Sequence, residues 1–112
     1  MSTLSIFVNQ QVVFEYDRDT VLDDQKLAFL DRMDADMARG IKIQGEMMTN
    51  PDDQQRARFV AMNLIKALQQ ENDASIMVSC AYLCQRNASL SEVHINDHED
   101  LVKIEFVDEV LQ

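Results

Sequence analysis

Basic residues are scarce in this chain: ten Lys and Arg face twenty Asp and Glu, for a formal net charge of −10. Nucleic-acid binding draws most of its affinity from Lys and Arg on phosphates, so this balance argues against it. It argues equally against an anionic membrane surface. Glycine and proline are rarer still, two and one in 112 residues, which leaves little room for long flexible linkers. Cysteine is limited to Cys80 and Cys84. One helical turn apart, their Cβ vectors run parallel, so no disulfide is expected between them. Two free thiols fit a reducing compartment. No apolar run approaches the ~20 residues that span a bilayer; the longest, Ile76 to Cys84, is interrupted by Ser79. The first residues, Met1 to Phe7, hold no basic region followed by an apolar stretch, so no secretory signal is expected and the location expected is the cytoplasm. Without export, Asn87-Ala88-Ser89 has no meaning as a glycosylation acceptor. No repeat or low-complexity tract is present.

What remains is an ordinary globular composition, 46% hydrophobic, at the common size of one domain. Leu4, Ile6 and Val8 alternate with Ser5, Phe7 and Asn9, and Val12, Phe14 and Tyr16 alternate with Val13, Glu15 and Asp17. This period of two predicts two half-buried strands joined by a turn at Asn9-Gln10-Gln11. A helix follows, with Thr20 as its cap, Leu27, Leu30, Met33 and Met37 as its apolar stripe and Gly40 as its stop. Ile41 and Ile43 predict an extended connection up to Gly45. Asn50 is the expected cap of a second helix, with Pro51 first inside it and Ala57, Val60, Ala61, Leu64, Ile65 and Leu68 on one stripe. Asn72-Asp73 ends that helix and caps a third, whose residues from Ile76 to Cys84 are apolar nearly all round. Val93 and Ile95, then Val102, Ile104 and Phe106, predict a closing hairpin around the turn Asp97-His98-Glu99-Asp100. The expected fold is α+β: one domain over residues 1–112, with N- and C-terminal β-hairpins flanking three helices. The economical arrangement is a four-stranded antiparallel sheet with the helices on one face. Two separate hairpins on opposite sides of the helices would bury the same residues. In the sheet arrangement the outer face carries Phe7, Val13, Glu15, His94, Asn96, Lys103 and Glu105.

Cys80, Cys84, His94 and His98 have a spacing close to a Cys2His2 zinc pattern, but its central gap is short and the cysteines lie inside an apolar helix. The simpler reading is two buried thiols and two solvated histidines. A weaker metal site would combine His94 and His98 with Asp97, Glu99 or Asp100 on the turn. Asp34 and Asp36 begin like a calcium loop, but Ala38 and Arg39 stand where a ligand and a glycine are required. Those acids read instead as the solvated face of the first helix. Arg56, Arg58 and Lys66 make the only locally positive patch; a small anion would fit there, and pairing with neighbouring acids is the simpler reading. Met33, Met37, Met62 and Met77 fall at core phases and read as filler. No nucleophile elbow, phosphate loop or dinucleotide fingerprint is present. A catalytic thiol would need an electropositive niche that this apolar helix does not offer. No catalytic residue and no cofactor is therefore expected.

From Glu92 to Glu109 the chain holds seven acids and one base, Lys103. Charged strands of this kind deter edge-to-edge aggregation, and they would also meet a basic partner. The residues expected to do so are Glu92, Asp97, Glu99, Asp100 and Glu105, with Phe7 and Val13 as an apolar contact or a homodimer face. The segment Met33 to Ile41, with Asn50-Pro51-Asp52 and Gln55 to Val60, resembles small uncharacterised proteobacterial proteins. The resemblance covers the helical middle and implies a bacterial cytosolic setting and no activity. The function expected is a non-catalytic interaction or regulatory module with an acidic surface. The alternatives are an inhibitor that mimics nucleic acid toward a basic protein, and a weak metal-binding protein.

Overall fold

A computed structural model describes residues 3–43, 45–98 and 101–108. The elements run β1 (Thr3–Val8), β2 (Gln11–Asp17), α1 (Asp24–Arg39), β3 (Ile41–Ile43), β4 (Glu46–Met48), α2 (Asp53–Gln69), α3 (Asp73–Arg86), β5 (Leu90–His98) and β6 (Leu101–Asp108). The fold is α+β. The chain divides into two compact units, one of Met1–Thr20 with Leu83–Gln112 and one of Val21–Tyr82. No helix among the described residues is long and apolar enough to cross a membrane.

The first unit holds a four-stranded sheet in the order β2-β1-β5-β6. The two hairpins join in one sheet, as expected, but the sheet is mixed: β1 and β5 pair parallel, from Ser5 opposite Glu92 to Val8 opposite Ile95. The expectation of an antiparallel sheet fails because alternation carries no strand direction. The long chain between β1 and β5 permits a crossover return that a tight turn would not. Leu4, Ile6, Tyr16, Val93, Ile95 and Ile104 share one face and are buried. Each such side chain contributes about 1.5–3 kcal/mol of burial when fully enclosed. The β1–β2 turn is shorter than expected, with only Asn9 and Gln10 in it, at φ 49° and 71°. Two positive φ values match the primed turns whose twist suits a hairpin. The Asn9 N–H donates to the Ile95 carbonyl (2.8 Å), and its side-chain oxygen accepts from the Asp97 N–H (2.9 Å). This one residue therefore ties the first hairpin to β5.

The second unit holds α1, the β3–β4 hairpin, α2 and most of α3. The return strand β4 was not expected; at three residues each, β3 and β4 are too short to show a period. Gly40 stops α1 as expected, at φ 142°. Two caps differ from expectation. Thr20 gives its hydroxyl to the Asp17 carbonyl (2.7 Å), closing the turn after β2, and Asp23 caps α1 through the Lys26 N–H (2.9 Å). Asn50 sits at φ 48° outside α2, and Asp52 is the cap. Asp52 accepts from the Gln55 N–H (2.8 Å) and donates its own N–H to the Gln55 side chain (2.9 Å). That reciprocal pair selects Asp52 over Asn50, because only Asp52 has Gln three residues on.

Asn72 caps α3 as expected, accepting from the Ser75 N–H (3.2 Å). Glu71, just before it, is left-handed at φ 53°. The Glu71 and Asn72 N–H groups return to the Leu68 and Ala67 carbonyls (3.3 and 2.9 Å), the Schellman closure of a helix end. Asp34 does not belong to a freely solvated face. It accepts from Arg56 Nη1 (3.0 Å) and from the Tyr82 hydroxyl (2.5 Å), so one carboxylate joins α1, α2 and α3. Within α3, Ile76, Cys80, Ala81 and Tyr82 are buried, but Met77 is 44% exposed and is not core filler.

Candidate functional site

Alternation on four strands brings a mixed aromatic and acidic surface together on the sheet face opposite the buried one. Phe7 and His94 are neighbours in the parallel register. Their rings stack with centroids 4.3 Å apart and planes 5° from parallel. His94 Nε2 lies 2.6 Å from Glu92 Oε1, two residues back on the same face of β5. An ionised carboxylate only accepts, so the imidazole presents an N–H to it. The carboxylate thus orients the ring that stacks on Phe7. Across the sheet, His94 is opposite Glu105 on β6, and Glu105 pairs with Lys103 at 3.4 Å. Val107 stands opposite Glu92 and is 39% exposed.

A bulge sets the other side of this surface. The β1–β2 register shifts between Ile6 and Phe7, so Ile6 faces Phe14 and Phe7 faces Val12. Val13 is the extra residue of the bulge. Val12, 49% exposed, is therefore the apolar neighbour of Phe7, where alternation alone assigned Val13. Two adjacent valines present the same pattern in either phase, so no sequence signal distinguished them. Glu15, opposite Ser5, adds a further carboxylate to the same face.

Of the residues expected to meet a partner, Phe7, Glu92 and Glu105 share this surface. Val13 lies on the bulge beside it. Asp97 is exposed near the end of β5, in the opposite phase to His94. Glu99 and Asp100 lie outside the described residues. His98 ends β5 opposite Leu101. Among the described residues, no group of three His, Cys, Asp or Glu side chains is disposed to hold a metal ion. Neither cysteine forms a disulfide; Cys80 is fully buried and Cys84 half-buried. Burial pushes the Cys84 thiol up to about 11, against a smaller opposing effect of the Arg18 guanidinium. Such a thiol is protonated and unreactive at neutral pH. Of the expected basic patch, Arg56 is engaged by Asp34, while Arg58 and Lys66 are exposed.

No protein-family model matches the chain, and no curated protein and no solved structure matches it either.

Proposed function

We propose that this chain is a non-catalytic interaction module that binds a basic protein partner through the outer face of its four-stranded sheet. The observation that carries this reading is the Phe7–His94 stack, flanked by Val12 and Val107 and surrounded by Glu15, Glu92 and Glu105. Aromatic groups set in a polar rim are the usual energetic centre of an interface. An arginine side chain suits this surface, since its guanidinium stacks on a ring while pairing with a carboxylate. The net charge of −10 would raise the encounter rate with such a partner. A second copy of the chain suits the face less well. A two-fold contact would set the carboxylates of Glu15, Glu92 and Glu105 against the same acidic face of the other copy. A nucleic-acid-binding protein is one kind of basic partner, and inhibition by mimicry is the special case of this reading that it would represent. A bacterial cytoplasmic setting accompanies the proposal through the resemblance of the helical middle.

The test is an amide-shift titration with an octa-arginine peptide. Saturable, salt-sensitive shifts at Phe7, Val12, Glu92, His94 and Glu105, lost in Phe7→Ala, support the proposal. Shifts spread evenly over all acidic surfaces, or unaltered by Phe7→Ala, refute it.

A further inference from the structure

The second unit contains an open groove of about 490 Å³ between α1, α2 and α3. Its volume falls within the range of about 300–1,000 Å³ typical of small-molecule sites. Phe29 and Met33 from α1, Ala67 from α2 and Val78 from α3 give it an apolar lining. Asn63, Gln70 and Ser75 supply hydrogen-bonding groups. Lys66 is the one charged residue in the lining. In a chain with twice as many acids as bases, a groove lined by no carboxylate and one ammonium is a local inversion of charge. Lys66 has no ion-pair partner among the described residues. A second cation stands close by: the Arg32 guanidinium lies 5.7 Å from the centre of the Phe29 ring. Arg32 likewise pairs with no described carboxylate.

The backbone around the groove is consistent with this charge. The α2 carbonyls of Lys66, Ala67 and Leu68, at a helix end that repels anions, already accept from the Gln70, Asn72 and Glu71 N–H groups. Ser75, by contrast, belongs to the first turn of α3, the end that favours an anion. Glu71, in the connection between the helices, and Asp73, in the first turn of α3, do not line the groove.

We infer that this groove binds a small amphipathic organic anion, a free carboxylic acid with an apolar body. The apolar part lies along Phe29, Met33, Ala67 and Val78, and the carboxylate meets Lys66 with Arg32 beside it. The inference is independent of the sheet face, which belongs to the other unit.

Three eight-carbon probes of different charge test it: octanoate, octan-1-ol and octylammonium, each titrated into the whole protein by calorimetry and amide shifts. On overall charge alone, a protein at −10 prefers the cation. The expected order is the reverse, with octanoate tightest and its shifts centred on Phe29, Ala67 and Val78. Removing both cations in Lys66→Gln/Arg32→Gln is expected to weaken octanoate about three- to tenfold, as exposed ion pairs allow, and to leave octan-1-ol unchanged. Both residues are exposed, so the variant keeps its fold, which circular dichroism checks. The inference is overturned if octanoate fails to bind at millimolar concentration or octylammonium binds as tightly. It is equally overturned if the shifts lie outside the groove or the double variant binds octanoate unchanged.

Discussion

Glu71 offers the cleanest test of how local backbone chemistry holds this fold. It occupies the left-handed position that closes α2, at φ 53°, and its side chain is exposed. A non-glycine residue in that conformation bears a cost of about 1–2 kcal/mol from its Cβ. Glycine removes that cost but loses about 0.4–1 kcal/mol more entropy on folding. The net expectation for Glu71→Gly is a stabilisation of about 0.5–1 kcal/mol, or a rise in Tm of roughly 2–5 °C. Two controls isolate the cause. Gln70, the preceding residue, has φ −90°, so Gln70→Gly meets the entropy cost with no relief and should destabilise by about 0.5–1 kcal/mol. Glu71→Ala removes the same negative charge while keeping the Cβ, so relief of repulsion in this acidic chain would appear there as well. Urea unfolding gives the comparison, as a shift in midpoint at constant slope. The reasoning fails if Glu71→Gly destabilises to the same extent as Gln70→Gly, or if Glu71→Ala stabilises as much as Glu71→Gly.

Three further outcomes are expected. Asp52→Ala removes the capping box of α2 and should cost about 1 kcal/mol, with Asp52→Asn close to wild type; equal losses in both would contradict the cap assignment. A double-mutant cycle on Asp34→Ala and Tyr82→Phe should give a coupling energy of about 0.5–3 kcal/mol, and simple additivity would mean that their hydrogen bond adds nothing. At pH 8 iodoacetamide should label Cys84 far more slowly than a free thiol, with a rate that climbs toward pH about 11. Because the folded value lies above the ordinary 9.0, the associated stability is complete below pH 9 and falls as the pH rises toward 11. Rapid labelling at pH 7 would contradict the burial of this thiol.

Much of the fold is legible in the sequence, because most of it follows from short-range patterns. Leu4 and Ile6 are read as inward-facing from alternation alone, and Gly40 and Asn72 from the chemistry of helix ends. What alternation omits is direction, so the parallel pairing of β1 with β5 appears only in three dimensions. The Phe7–His94 stack is lost to sequence reading for the same reason: each residue's phase is legible, but their adjacency depends on that register. The Asp34 carboxylate is a harder case. Its partners stand 22 and 48 positions away, and an aspartate on a polar helix face looks the same whether it is solvated or bound. The cap of α2 is ambiguous in the sequence because Asn50 and Asp52 both suit the role, and only the reach of Gln55 decides between them.

The bulge at Val13 separates what the two levels of reading assign to the sheet face, and a pair of substitutions can decide between them. Alternation places Val13 beside Phe7, whereas the register places Val12 there. The two side chains are exposed to nearly the same extent, 49% for Val12 and 46% for Val13, so replacing either with lysine should perturb the fold about equally. Each replacement also changes the net charge by the same amount, so long-range attraction of a basic peptide weakens equally in both. Any difference between them then reports on local contact. A half-exposed valine facing Phe7 has roughly 0.5–1 kcal/mol of apolar contact to lose, and a lysine there repels an approaching guanidinium. Val12→Lys should therefore bind octa-arginine about three- to tenfold more weakly than Val13→Lys. Equal affinities would mean that the Phe7 surface is not where the peptide sits. A greater loss in Val13→Lys would mean that the strand pairs in solution without the bulge, returning the face to the arrangement that alternation alone describes.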